Sequence, residues 1–400
     1  MKKTIVLMMQ RMFVFLSLLM LIPDLYIYRM FIVRLMVSPL MKLSYWLPSA
    51  LLMIGLIYVC FFAGNDVVDR QSRVVGGFML IVFLFAFPKV IFMICSLAGL
   101  PFNYLLHWPK APFVYTGLLG ALLTAGMILY GSTRGKFRFC VKEATFWSPN
   151  LPDGFEGYRI ALLTDIHIGS FAGNLSAVER MVNLTNAQGA DLIVFAGDLV
   201  NHRATELIGF QPILATLHAK DGVYSVMGNH DYGPYYKWDS LEEQAENIFD
   251  LQQRQADMGW TMLNNSHVIL HHNNDSIALI GVENEGEPPF SQHADLPKAT
   301  EGTAGMFRIL ISHNPIHWRT EVLPDSDIEL MLAGHTHAMQ LAWGNRSFSA
   351  LVYPEWSGLY MEGERGLYVS VGLGFVGIPF RFGAWPEVTV ITLRKKGREL

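Results

Sequence analysis

Residues 159–167 read RIALLTDIH, and this stretch decides how the rest of the chain is parsed. Its first part, Arg159–Leu163, is an almost wholly apolar run of strand length. Its last part places Asp165 and His167 directly after that run. Open α/β sheets bind ligands in the crevice beyond the carboxyl ends of their strands. An acid and an imidazole at such an end therefore mark a candidate site.

The same arrangement recurs downstream. Residues 191–196 read as a second strand, ending in Gly197-Asp198. Residues 223–227 read as a third, ending in Gly228-Asn229-His230-Asp231. Phe307–Ile311 leads into Ser312-His313-Asn314, and residues 328–332 into Gly334-His335-Thr336-His337. Helical patterns fall between these runs. Ser176 and Glu179 have the spacing of a capping box opening a helix through Asn186. A second helix is expected over 205–217. A third is expected over 240–258, with Leu241, Ala245, Ile248 and Leu251 on one side. Residues 277–281, 367–371 and 388–393 read as further strands. Strand–helix alternation predicts an α/β core with substantial parallel pairing.

Five strand ends thus aim Asp, His and Asn side chains at one rim. Carboxylate, imidazole and amide oxygen suit Mn, Fe, Zn or Co. In an extended segment, residues two apart point the same way, so Asp165 with His167, and His335 with His337, can each serve one site. Glycines before Asp198, Asn229 and His335 permit tight turns and close backbone approach. Each piece alone has an ordinary explanation. A lone Gly-Asp is a turn, and a lone buried His is a hydrogen-bonded core residue. His202, His218, His267, His271, His272, His293 and His317 receive that reading and no role. Five motifs in order, each closing a strand, do not.

The series TDIH, GDLV, GNHD, SHNP and GHTH resembles the calcineurin-like metallophosphoesterase family, over roughly residues 158–393. The closing stretch, SGLY through GLYVSVGLG to PFRFGAWPEVTVITL, resembles the bacterial membrane-associated branch with YkuE- and YaeI-type phosphodiesterases. The resemblance implies a four-layered fold, two mixed β-sheets packed together with helices outside. It implies two divalent metal ions. Asp165, His167 and His337 would hold one; Asn229, His313 and His335 the other; Asp198 would bridge both. His230 would stand near the phosphoryl group as proton donor, and metal-activated hydroxide would be the nucleophile. Asp198, Asn229 and His230 are the catalytic candidates. The family often has Asp three residues after the bridging Asp, orienting that histidine. Here the position is Asn201, which cannot stabilise an imidazolium as a carboxylate does; Asp231 is a candidate substitute. Arg381 and the turn at 372–374 are candidate phosphate contacts, against a structural turn and a surface arginine.

Upstream of residue 131 the composition changes. Leu, Met, Ile, Phe and Val dominate, and twelve of the 13 histidines lie beyond that point. Residues 13–33, 45–62, 74–100 and 113–130 are apolar runs near the ~20 residues a helix needs to span a bilayer. Four spans are expected, forming a membrane region over 1–131. A linker leading into the domain follows over 132–157, the catalytic domain over 158–394 and a basic tail over 395–400. Lys2 and Lys3 precede an apolar run, but no small-residue cleavage site follows, so a signal peptide is the weaker reading.

With four spans both ends lie on one side, together with Lys2, Lys3, Arg11, Arg70, Arg73, Arg134, Lys136, Arg138 and Lys142. Arg34, Lys42 and Lys110 lie on the other. The positive-inside rule puts the C-terminal domain in the cytoplasm, at the cell membrane. A net charge of −4 argues against a nucleic-acid partner. Three cysteines, Cys60, Cys95 and Cys140, offer neither a disulfide framework nor a thiolate site.

The expected activity is hydrolysis of a phosphodiester or pyrophosphate bond, with a lipid-linked or envelope-precursor phosphoester as candidate substrate. Residues 283–305, loop-rich and acidic, are a candidate lid. The alternative is a membrane sensor or transporter-like module with a regulatory phosphoesterase domain. Asp24, Arg29 and Lys89 would then mark a polar pathway.

Overall fold

The structure, a computed structural model, describes residues 2–62, 70–286, 288 and 292–397. Pro289 of the acidic loop and residues 398–400 of the basic tail lie outside the described residues. The chain divides into two compact units. The first is Met1–Arg134 with the short segment Gly377–Phe380; the second is Gly135–Val376 with Arg381–Leu400.

The first unit is helical. Among the described residues, four helices are long and apolar enough to cross a membrane: Gln10–Arg34, Pro39–Phe61, Val74–Leu106 and Ala111–Phe137. A long apolar helix thus stands at each of the four expected spans. The second is made of shorter pieces, Pro39–Ser44 and Leu47–Ile57 followed by a wider turn at Tyr58–Phe62. Pro23 and Pro88 sit inside long helices without ending them. Two of the charges in these helices, Asp24 and Lys89, pair with each other. Lys89 Nζ lies 2.6 Å from the Asp24 carboxylate, which is fully buried. Tyr45 and Ser49 also donate to that carboxylate. Arg29 is on an exposed face. Asp24 and Lys89 thus act as a satisfied clamp between helices, the arrangement in which buried charges are tolerated in lipid.

The second unit is built on fourteen strands among the described residues. These are β1 (Cys140–Ser148), β2 (Arg159–Leu163), β3 (Leu192–Ala196), β4 (Val223–Val226), β5 (Thr261–Met262), β6 (Ser266–His272), β7 (Asp275–Gly281), β8 (Phe307–Ile311), β9 (Leu330–Ala333), β10 (Ala342–Trp343), β11 (Arg346–Ser347), β12 (Gly358–Glu362), β13 (Arg365–Val369) and β14 (Glu387–Lys395). One sheet has the order β1-β14-β2-β3-β4-β5, the other β12-β13-β9-β8-β7-β6. Both are mixed. β14 runs antiparallel to β2 but parallel to β1, and β6 and β12 are antiparallel edge strands. β10 and β11 form a separate hairpin.

Strand alternation explains the layers. Ile160 and Leu162 of β2 pack with Leu279, Ile309 and Leu332 of the opposite sheet. Ala161 and Leu163 face the other way, into a layer with Val178, Met181 and Val182 of the helix Leu175–Asn186. Beyond the second sheet, Ile280, Leu310 and Met331 pack against Trp318 and Val322. The order is helix, sheet, sheet, helix, as the resemblance implied.

Several local expectations need correction. The helix expected to open at Ser176 is capped by Asn174, whose side chain accepts from Ala177 N; it starts at Leu175. The helix expected over 205–217 is two short pieces, Ala204–Leu207 and Gln211–Leu214. Gly209, at φ +87°, ends the first, and Pro212 is tolerated only in the first turn of the second. In the helix Leu241–Asp257, Leu241 and Ala245 are exposed, Ile248 is half-buried and Leu251 is buried. Leu241 is the first helical residue, so its side chain leans off the helix end instead of onto the core. The stretch expected as linker, 132–157, also supplies β1, paired along its length with β14.

Candidate metal centre

The polar residues at the strand ends do meet. β2 delivers Asp165 and His167, β3 Asp198, β4 Asn229 and His230, β8 His313, and β9 His335 and His337. Asp165, His167 and His313 are fully buried; His230 and His335 are half-buried. Among the described residues, three groups have donor atoms within 4.8 Å of one another: Asp165–His167–His337, His167–Asp198–His230 and Asp198–His313–His335.

The path to this convergence differs from the expected one. Asp165 and His167 are not extended: their φ angles are +52° and +45°. His335 (+72°), His337 (+49°) and Asp198 (+60°) are left-handed too. The Asp-x-His and His-x-His pairs therefore converge through backbone kinks, not through strand alternation. Such conformations cost about 1–3 kcal/mol each and concentrate at functional sites. Cross-loop hydrogen bonds hold them: Asp165 N to Gly197 O (2.9 Å), His167 N to Asp198 O (3.1 Å) and Gly334 N to His313 O (2.9 Å). The glycine reading holds at Gly228 and Gly334. A Cβ at Gly228 would meet the Asp198 carboxylate, and one at Gly334 would meet Thr164 and the Asp165 carboxylate.

The donor set fits a divalent metal. Ligands roughly 2.0–2.2 Å from one ion stand roughly 3–3.5 Å apart. His337 Nε2 lies 3.3 Å from Asp165 Oδ1 and 3.1 Å from His167 Nε2. His335 Nδ1 lies 3.3 Å from His313 Nε2. Asp198 Oδ2 stands between the two groups, 3.5 Å from His167 Nε2 and 3.2 Å from His313 Nε2. Asp165 Oδ1 and Asn229 Oδ1 are buried without a hydrogen-bond partner, acceptors that a cation would satisfy.

The electrostatics are those of a crowded buried site. Burial pushes His335 down to about 3, helped by neighbouring His313, and pushes His167 and His337 below the ordinary histidine range. Burial also works against charge on His313, but the Asp198 carboxylate outweighs it and holds that imidazole up at about 9. Burial raises Asp165 to about 6.

Three surrounding residues had no distinguishing sequence signal. Tyr235 Oη accepts from Asn229 Nδ2 at 2.9 Å, which turns Oδ1 of that amide the other way. Tyr353 Oη lies 2.9 Å from His335 Nε2, leaving Nδ1 on the side of His313. His202, given no role from sequence, has its ring 6.3 Å from that of His230, and burial pushes it down to about 4.

Three sequence readings change. His230 Nδ1 donates to the backbone oxygen of Asn201 (2.7 Å), so the Asn201 side chain does not orient it. That side chain binds Ser170 instead. Asp231 does not stand in for the missing acid: its carboxylate accepts from the backbone N–H groups of Asp198, Leu199, Val200 and Gly228. Arg381 is neither a surface arginine nor placed to meet phosphate. It is fully buried, donates to the carbonyls of Gly374, Ala384 and Val371, and has Nη2 2.9 Å from His337 Nδ1. It props the site from behind, and a guanidinium so committed has no face left for substrate.

Comparison with known proteins gives the chain its relatives. Residues 158–339 match the family described as calcineurin-like phosphoesterase. Residues 10–136 match "Probable Calcineurin-like phosphoesterase, transmembrane domain". A transmembrane protein with metallophosphoesterase domain from Danio rerio is 31% identical over 287 residues, 70% of this chain; the chain spans 62% of that protein's length. The metallophosphoesterase YkuE of Bacillus subtilis is 29% identical over 305 residues, 70% of this chain and 95% of YkuE. A metallophosphoesterase of Helicobacter pylori is 31% identical over 292 residues, 72% of each chain.

Proposed function

Because this chain belongs to the calcineurin-like metallophosphoesterase family, in its membrane-associated branch, we propose that it is a membrane-anchored dinuclear-metal hydrolase of a phosphodiester or pyrophosphate bond. The observation that carries this reading is the position of Asp198. One carboxylate oxygen stands within 3.5 Å of His167 and 3.2 Å of His313, between two donor sets. Asp165, His167 and His337 form the first set; Asn229, His313 and His335 the second; Asp198 is shared.

Metal ions held there supply activation of water and neutralisation of charge on phosphoryl oxygens. The chain's own residues do the rest. Asp198 Oδ1 accepts from His230 N (2.8 Å), tying the proton donor to the shared carboxylate. The bond from His230 Nδ1 to Asn201 O orients the ring with Nε2 free, and the imidazolium form of His230 would give its Nε2 proton to the leaving oxygen. Asp231, accepting four backbone N–H groups, holds the loop that presents Asp198. Arg381 and Tyr353 fix the rings of His337 and His335 from the side away from the shared carboxylate.

The four long apolar helices favour a substrate found at a bilayer, a lipid-linked or envelope-precursor phosphoester. The charge distribution around the spans favours the cell membrane, with the catalytic domain on its cytoplasmic face. The deciding assay uses the purified full chain, a chromogenic phosphodiester and added Mn. Asp198→Ala and His335→Ala should each abolish turnover; undiminished activity in either refutes the site.

A further inference from the structure

The segment following His337 presents an apolar surface that nothing in its own unit covers. It comprises the β10–β11 hairpin and the turn Phe348–Leu351. Trp343, Phe348, Leu351 and Val352 are 63%, 65%, 83% and 59% exposed. Single exposed apolar residues are ordinary, but four large ones within ten positions make a patch of the kind that marks an interaction surface.

The patch is well anchored. The Ser347 hydroxyl reaches the carbonyls of Ala338 and Leu341, Ala342 N donates to Phe382 O, and the Trp343 ring lies 5.8 Å from that of Phe382. Hydrogen bonds thus fix the backbone while the large side chains point outward.

Its chemistry selects one kind of partner. No acidic residue occurs between Glu329 and Glu355, and the exposed charge on the hairpin is Arg346. An apolar tip with a tryptophan and an arginine is the composition that settles at the boundary of an anionic bilayer. The chain's own apolar helices keep it at such a bilayer. The patch also adjoins the site along the chain. Ala338 follows His337 directly, and Tyr353, next to Val352, lies 2.9 Å from His335.

We propose that the hairpin and the turn Phe348–Leu351 rest in the lipid–water interface and hold the rim of the metal centre against it. The substrate class follows: an amphiphile whose phosphoester lies at headgroup level. This substrate class rests on the phosphoesterase reading above; the lipid contact itself does not.

The test uses the full chain in nanodiscs containing anionic lipid. Cys60, Cys95 and Cys140 are replaced by Ala, and a fluorescent label is placed by Leu351→Cys or, as control, Glu246→Cys on an exposed helix face. Lipids spin-labelled near the headgroup should quench the first label and not the second. No quenching at Leu351→Cys, or equal quenching at both, overturns the proposal. Rapid disulfide formation between Leu351→Cys chains would overturn it in favour of a second copy. In a second arm, Phe348→Asp/Leu351→Asp should lose about tenfold or more turnover of a diester lipid in vesicles while keeping turnover of a soluble diester. An equal loss on both overturns the substrate class. A parent chain inactive on both refutes the phosphoesterase reading, and the quenching result still decides the lipid contact.

Discussion

At the scale of the residue, His230 takes its orientation from a backbone oxygen. The resemblance pointed to a side chain three positions after Asp198, and the motif's departure there cast doubt on the proton donor. A carbonyl is an acceptor whatever residue carries it, so Asn201 does not set the alignment of the ring. Asn201→Ala should therefore change kcat by less than about tenfold, while His230→Ala should lose about 10²–10⁴-fold. Steady-state kinetics on a soluble diester separate the two. A comparable loss in Asn201→Ala would return the orienting role to its side chain. His313 makes a second prediction. Its imidazole stays protonated up to about 9 because Asp198 outweighs burial. A metal ligand must be unprotonated, so binding below that pH releases this proton, and metal affinity should rise with pH until about 9 and then level. Calorimetric titration with Mn in buffers of different ionisation heat reads the proton directly; a heat independent of buffer contradicts the assignment.

At the scale of the element, the strands deliver the candidate ligands but the turns after them do the aiming. Gly334 lets the β9 turn lie against Thr164 and Asp165 of the β2 turn. Gly334→Ala should push the two apart, at a cost of about 1–3 kcal/mol. Bound metal should fall with it, measured by elemental analysis of the purified protein; full metal content would show that the turn can yield. In the helical unit, the bond between Lys89 and Asp24 joins two helices. Lys89→Met alone strands a buried carboxylate and should destabilise by about 3–5 kcal/mol. Adding Asp24→Leu should recover much of that loss. Thermal unfolding in detergent reads the cycle. A double variant as unstable as the single would mean that the pair itself, rather than its unpaired half, carries the energy.

At the scale of the molecule, the prediction concerns sidedness. Nine Lys and Arg residues expected on one side face three on the other. A C-terminal reporter active only outside the cytoplasm should stay silent, and a strong signal would invert the proposed topology.

The chain's sequence by itself determined its two-part plan, the family, the strands at Arg159–Leu163 and Phe307–Ile311, and the residues at their ends. These are legible because each is local. A run of apolar residues has a period, and few residue types can hold a divalent metal whatever surrounds them. Tertiary structure alone decided the left-handed kinks at Asp165 and His335, the burial of Arg381 behind His337, the backbone grip on His230 and the tyrosines at Asn229 and His335. Those contacts join segments far apart in the chain or use backbone atoms that every residue has, so no pattern of side chains announces them. The apolar tip after His337 lies between the two cases. Its residues are plain in the sequence, but only the packed hairpin shows that they face outward.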